Sequence, residues 1–282
     1  MRSSALSLIA LAILLLIPRL ALAQTPTCDD LSGEKKTLAT ALMNEQHPYD
    51  CCDDTISACL KSSKCTLPRR LANQICRMAA AGKDRATIER SLSQRATSMM
   101  SARPVPIDLS HAERAGEANA PVTLTAYLCA RCPYCARLVP KLHKAITEGE
   151  LKGKVKMYAR EFPIRSHPNS TPGGMAMVAA RRLGKGWTFL LHLYRIFDEF
   201  DPANLPKCAA QYGMDEAQFR DLLSDASVRR ELVASKKEGV RNHVNATPTL
   251  FINGRKYTGD LDFESVVDVL DEEAERASKN HK

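Results

Sequence analysis

Ten cysteines occur in this 282-residue chain, and their spacing carries the chemistry that the sequence can do. Three stand at equal intervals in "LCARCPYCARLVP", Leu128 to Pro140: Cys129, Cys132 and Cys135. Two overlapping Cys-x-x-Cys units share Cys132. Such units either hold a metal or exchange electrons as a dithiol and a disulfide. An iron–sulfur cluster needs a further ligand in register, and Cys208 lies in no ligand motif. A metal also leaves Pro133 and Pro140 unexplained, so neither a metal nor any other cofactor is expected. Thiol–disulfide exchange needs a thiolate, and unpaired N–H groups at a helix mouth stabilise one. Only Cys132 and Cys135 have a helix start between them, with Pro133 suited to its first turn. The expected redox pair is therefore Cys132, the exposed nucleophile of lowered pKa, and Cys135, the resolving thiol one turn deeper. No base for Cys135 is legible. Neither His143 on the active-site helix nor His167 in "SHP" stands out from a packing role.

The start of the chain bears on whether these cysteines meet an oxidising compartment. Arg2, the apolar run Ala5 to Ile17 and the Ala21-Leu22-Ala23 pattern read as a secretory signal peptide over residues 1–23. The mature protein is then expected to be soluble and exported to the periplasm or beyond, where disulfides persist. The formal charge is +8, but the basic residues are scattered and lack interleaved aromatics. A solvated basic surface is the reading, with no nucleic-acid partner.

Residues 24–100 read as a small helical domain. Ser32, Thr66 and Asp84 are candidate caps, Pro68 suits a first turn and Gly82 a stop. Leu71, Ile75 and Met78, then Ile88, Leu92, Ala96 and Met99, form the apolar stripes of an antiparallel hairpin. Few large apolar residues are available, and such a core needs staples. Cys28, Cys51, Cys52, Cys59, Cys65 and Cys76 supply an even number for structural disulfides. Residues 101–120, with Pro104, Pro106 and little apolar periodicity, read as a linker.

Residues 121–282 change period. "PVTLTAYL" and "KVKMYAREF" read as strands around the active-site helix. A helical stretch follows, about 170–242. "TPTLFINGRKYTG" reads as two strands turned at Asn253-Gly254, and "DFESVVDVLDEEAERA" as a closing helix. The fold class expected is α/β: a thioredoxin fold with a helical insertion, preceded by the small disulfide-rich α-helical domain. "CPYC" at a strand-to-helix junction, Pro140 beyond it, "TPTLFING", "GEANAPVTL" and "REFPIRSHP" together resemble the DsbA-like thiol:disulfide oxidoreductases of the thioredoxin superfamily, over residues 115–275.

That resemblance implies a cis bond at Thr247-Pro248, with Thr247 and Pro248 receiving an extended substrate beside Pro133 and Tyr134. It implies cysteine-containing exported proteins as substrates, a membrane or soluble redox partner, and room for a homo-oligomer. Ala126 stands where thioredoxins carry a buried acid. Pro-Tyr between the cysteines and Thr before the proline slightly favour isomerase or reductase over oxidase. A disulfide-stapled binding chaperone without redox turnover is the alternative function. Cys129 and Cys208 remain. With the insertion packed over the sheet, as the resemblance implies, a Cys129–Cys208 bridge is expected. The alternative makes Cys208 a small buried residue and Cys129 a third redox thiol.

Overall fold

The computed structural model describes residues 28–280, so the expected signal peptide lies outside the described residues. After a short 3-10 turn come four helices: α1 (Gly33–Glu45), α2 (Ile56–Ser62), α3 (Leu67–Ala80) and α4 (Arg85–Ala96). Ser32, Thr66 and Asp84 occupy the N-cap positions, but of the three only Asp84 uses its side chain, accepting the Thr87 N–H at 2.8 Å. Gly82 takes φ +73° after α3, where a residue with a Cβ would be strained. The seven-residue α2 escaped the sequence reading because so short a helix shows no apolar period. It is capped by Thr55, whose hydroxyl accepts the Ala58 N–H at 3.3 Å.

The six N-terminal cysteines pair as Cys28–Cys76, Cys51–Cys65 and Cys52–Cys59. They surround a modest apolar cluster of which Leu42, Ile56, Leu71, Ile75 and Ile88 are the deepest large residues. A core of this size buries too little surface to offset chain entropy comfortably, and cross-links shrink the unfolded ensemble it competes with.

A mixed sheet follows, built from β1 (Arg114–Ala115), β2 (Val122–Leu128), β3 (Val155–Glu161), β4 (Thr249–Ile252) and β5 (Arg255–Lys256) in the order β1-β3-β2-β4-β5. β2 runs parallel to β3, from Val122 opposite Val155 to Leu128 opposite Glu161, and antiparallel to β4. The parallel pair requires a crossover, which α5 (Pro133–Thr147) provides. Side chains alternate across β2. Leu124, Ala126 and Leu128 join the large core with Val139 and Leu142 of α5, while Tyr127 turns to the other face with Phe162 and Phe251. Asn253 and Gly254 join β4 to β5 at φ +50° and +79°, the twin left-handed geometry that such a pair favours.

Five helices separate β3 from β4: α6 (Ser170–Arg182), α7 (Gly186–Arg195), α8 (Leu205–Ala210), α9 (Glu216–Ser224) and α10 (Ala226–Arg241); α11 (Phe263–Asn280) closes the chain. α5 and α11 pack on one face of the sheet, with α7 against α5, and α10 packs on β3 from the other face. Gly239 lets α10 come close, since a Cβ there would stand 2.7 Å from the Phe162 ring.

Within the stretch read as a linker, the chain is tied to the sheet. The Val105 N–H donates to the Gly254 carbonyl at 2.9 Å, and the Asp108 N–H to the Glu238 carboxylate at 2.6 Å. β1, only two residues long, pairs antiparallel with β3. A strand that short leaves no alternating pattern to read.

The N-terminal helices dock on α11 through charge. Arg70 reaches Asp268 at 2.8 Å, Asp271 at 2.7 Å and Glu275 at 2.6 Å. Arg95 Nη1 reaches Asp268 at 2.6 Å and Gln74 at 3.0 Å, Nη2 reaches Glu272 at 2.8 Å, and Nε donates to the Tyr49 hydroxyl at 3.2 Å. The four acids recur at helical spacing and form one stripe on α11. Arg95 is 1% exposed. Burial alone would lower its pKa, but Tyr49, Asp268 and Glu272 raise it further than burial lowers it. Removing one partner of a buried pair strands the other charge. Arg95→Met is therefore expected to cost about 3 kcal/mol, read as a lower urea midpoint with the disulfides intact. Arg85→Met, which removes an exposed pair with Glu45, should leave the midpoint almost in place. Equal midpoints for both variants would refute the view that Arg95 anchors this interface.

Candidate active site

β2 ends at Leu128, and the chain turns through Cys129, Ala130 and Arg131 into α5. Cys132 is the N-cap of that helix, with φ −101° and ψ 119°, and its N–H donates to the Cys129 carbonyl at 3.1 Å. Pro133 takes the first helical position, where a missing N–H costs nothing. Gly173 near the start of α6 allows the insertion to press on this turn; a Cβ there would stand 2.9 Å from that of Ala130.

Cys132, Cys135, Thr247 and Pro248 come together. The Thr247–Pro248 bond is cis. The Cys132 thiol donates to the Thr247 carbonyl at 3.0 Å. Contrary to expectation, Cys132 is 0% exposed, as is Cys135. The sequence reading placed the sulfur at an open helix mouth, but the loop carrying Thr247 closes over it. Tyr134, by contrast, is 65% exposed. It borders a groove of about 510 Å³ whose lining includes Leu138, Pro248 and Phe263.

The two thiols are pushed apart in acidity. The bond to the Thr247 carbonyl favours neutral Cys132, but donors to the thiolate outweigh it. The Cys135 thiol contributes most; burial opposes it; the Thr247 side chain and the N–H groups of Cys135 and Tyr134 add to it. The result is a Cys132 pKa lowered to about 5. Cys135 moves well upward, first through burial and then through its bond and proximity to the Cys132 sulfur. One sulfur is thereby prepared to attack while the other keeps its proton until needed.

Two neighbours went unassigned in the sequence. Tyr194 of α7 is buried, donates to the Cys129 carbonyl at 3.4 Å and stands beside Cys135. Its signal was a single hydroxyl in the apolar run "FLLHLY", indistinguishable from packing without the fold. His167, left without a role in the sequence, has Nδ1 3.5 Å from the Cys129 sulfur.

The expected Cys129–Cys208 bridge is absent: both cysteines are unbonded. Cys129 is buried against His167, with the N–H groups of Ile164 and Arg131 near its sulfur, and burial raises its pKa. Cys208 is half-buried on α8 against the large core, with Asp201 as its charged neighbour. Parity of number could count them but not aim them.

The thioredoxin family model matches residues 110–272. Among curated proteins, the chain is similar to the Na(+)/H(+) antiporter NhaA 3 of Salinispora tropica, 28% identical over 163 residues, which is 57% of this chain and 24% of that protein. It is also similar to the Na(+)/H(+) antiporter NhaA of Herminiimonas arsenicoxydans, 26% identical over 172 residues, 60% of this chain and 26% of that one. The chain thus spans about a quarter of the length of these curated relatives. Among solved structures, it resembles α-DsbA1 of Wolbachia pipientis with a TM-score of 0.54 at 18% identity, over 62% of this chain and 97% of that chain. Oxidised BdbD from Bacillus subtilis gives 0.52 at 18% identity, over 62% and 98%. The catalytic domain of Proteus mirabilis ScsC gives 0.50 at 16% identity, over 66% and 98%. At these identities the likeness is one of fold.

The acidity difference can be measured directly. Thiolate absorbance of the reduced protein is expected to rise with a midpoint near pH 5. Cys135→Ala, which removes the largest contributor, should move that midpoint upward. The linkage has a definite sign. A folded pKa below the unfolded value adds stability above the unfolded pKa and loses it as pH falls through the folded one. The reduced form should therefore lose this contribution between about pH 9 and pH 5. A midpoint left in place by Cys135→Ala would show that the paired thiol does not set the acidity.

Proposed function

The chain belongs to the thioredoxin family, and we propose that it is an exported thiol–disulfide oxidoreductase acting on cysteine-containing proteins through Cys132 and Cys135. The observation that carries the reading is the opposed acidity of two adjacent buried sulfurs at the mouth of α5.

The exchange proceeds in two steps that balance. In reduction, the Cys132 thiolate attacks one sulfur of a substrate disulfide. A mixed disulfide forms and the substrate's other sulfur leaves as a thiolate. Cys135 loses its proton and attacks the Cys132 sulfur, closing the Cys132–Cys135 disulfide and releasing the second substrate thiolate. Two electrons pass from the pair to the substrate, and oxidation is the reverse. Thr247 and Pro248 receive the substrate chain beside the sulfur, with Pro133 and Tyr134 at the rim. Return of the pair to its starting state requires a membrane or soluble dithiol–disulfide partner.

Isomerase or reductase chemistry is favoured over strong oxidation. A lower nucleophile pKa stabilises the dithiol and makes the disulfide more oxidising. Pro133-Tyr134 between the cysteines and Thr247 before Pro248 support the milder direction, because the residues around the pair tune thiolate stability. The potential expected is nearer about −180 mV than about −120 mV. No described helix is long and apolar enough to cross a membrane.

Insulin reduction and refolding of a scrambled disulfide protein test the reading. Both activities are expected to fall to background with Cys132→Ala, and glutathione equilibration should give the intermediate potential. Retained refolding assistance in Cys132→Ala would favour a binding chaperone. A potential at or above about −120 mV would make the protein an oxidase.

A further inference from the structure

Resolution of a mixed disulfide needs a thiolate at Cys135. In the resting dithiol the Cys135 thiol donates to the Cys132 sulfur. Once Cys132 is joined to substrate that anionic acceptor is gone, and Cys135, itself fully buried, must become negative. Burial opposes the change. The strand leading into the pair, β2, carries no carboxylate. The charged and titratable groups nearby are engaged elsewhere. His167 faces the Cys129 sulfur at 3.5 Å, and His143 lies against the Trp187 ring with 5.1 Å between centroids. The Arg131 guanidinium lies over Phe197 and Phe200, that of Arg137 over Tyr134, and the Lys141 ammonium over Phe263.

The helical insertion brings one uncharged donor to this sulfur. Tyr194 of α7 is 5% exposed and packs in the same core as both cysteines. Its hydroxyl donates to the Cys129 carbonyl at 3.4 Å, which is long for an O–H···O bond. The Cys132 N–H already uses that carbonyl at 3.1 Å. The Cys135 side chain is a second hydrogen-bond partner of the same hydroxyl. Burial and the neighbouring sulfurs hold the phenol well above its usual range, so it keeps its proton and can donate but not serve as a base. One O–H proton therefore has two acceptors: a neutral carbonyl at long range, and a sulfur whose charge changes during turnover.

We propose that Tyr194 is the hydrogen-bond donor to the resolving thiolate, its hydroxyl turning from the Cys129 carbonyl to the Cys135 sulfur as that sulfur becomes anionic. The proposal rests on the oxidoreductase reading above. In the step concerned, the Cys135 S–H bond breaks, the Cys135–Cys132 disulfide forms, and the bond between Cys132 and the substrate sulfur breaks. The substrate sulfur leaves with the electron pair and takes up the proton that Cys135 gave, so Tyr194 ends the step as it began. The bond to the carbonyl is weak while Cys135 is neutral, and the bond to an anionic sulfur is charge-assisted. The interaction is thus stronger in the transition state than before it, which is the condition for acceleration. The first exchange step, carried by Cys132, gains nothing from it.

Step-resolved kinetics of the reduced full-length protein with excess oxidised glutathione test this. Cys132 attacks one glutathione sulfur and expels the other as thiolate; Cys135 then displaces the bound glutathione. Acid quenching and mass spectrometry count the reduced, glutathionylated and internally oxidised forms over time. Tyr194→Phe keeps the ring and removes the hydroxyl. It is expected to leave the first step in place and to slow the second roughly tenfold, so that the glutathionylated form accumulates. As a second variant, 3-fluorotyrosine in place of Tyr194 keeps the shape and strengthens the donor, and should quicken the second step roughly twofold without changing the first. This variant decides the matter if Tyr194→Phe does not fold. Both steps slowed alike in Tyr194→Phe would mean that the hydroxyl only holds the Cys129 turn, and would overturn the proposal. So would a second step unchanged by either substitution. Failure of the unsubstituted protein to form either disulfide would instead count against the oxidoreductase reading itself.

Discussion

A negative sulfur kept out of water must be paid for in hydrogen bonds, and much of this molecule follows from that requirement. Cys132 is fully buried yet has a pKa of about 5. Burial by itself pushes a thiol the other way. The compensation comes from three places in the chain: the Cys135 thiol, the N–H groups of the first turn of α5, and the Thr247 side chain. No one segment could supply all three. β2 delivers the cysteine at the end of a central strand, α5 aims its free N–H groups at the sulfur, and β4 brings Thr247 across from the antiparallel side of the sheet. The insertion completes the enclosure, with Tyr194 against the same turn and Gly173 permitting close approach.

The N-terminal helices are attached by a different kind of force. Their own core is small and disulfide-stapled, and their hold on the rest of the chain is ionic. Arg70 and Arg95 meet a stripe of four acids on α11, and α11 packs on α5 and β2. The most buried arginine also has Gln74 and Tyr49 as partners, so its charge is both paired and hydrogen-bonded. Such an interface is geometrically demanding, because each guanidinium fork fits its carboxylates in few orientations. It therefore fixes the position of the stapled helices on α11 as well as the contact itself.

What could be read from the sequence followed physical scale. Short-range signals were legible: Cys132 to Cys135 at a helix start, the Asp84 cap, the Asn253-Gly254 turn, and the apolar run of β2. So was the fold class, because its elements recur in order. Signals that depend on long-range aim were not. Cys129 and Cys208 were counted as a pair, yet one sulfur faces His167 and the other the core behind α8. Burial of Cys132 depends on the Thr247 carbonyl, 115 residues away along the chain. The acids of "DFESVVDVLDEEAERA" look like a solvated helix face in one dimension. Only the fold reveals that half of that face is covered by arginines. β1 and α2 were missed because two and seven residues are too few to display a period.

The basic excess of the chain acquires a location from the same pairing. Read as composition, it implied only a solvated surface. In the fold, five acids of α11 are paired internally: Asp268, Asp271, Glu272 and Glu275 by arginines of the stapled helices, and Glu273 by Arg255 and Arg276. Asp262 is spent on capping the helix and Asp260 on Ser91. Arg77, Lys83, Arg137 and Lys141 make no ion pair among the described residues and line two grooves together with Asp260, Asp262 and Glu264. The acids of α11 thus serve chiefly to dock the N-terminal helices, through Arg70 and Arg95.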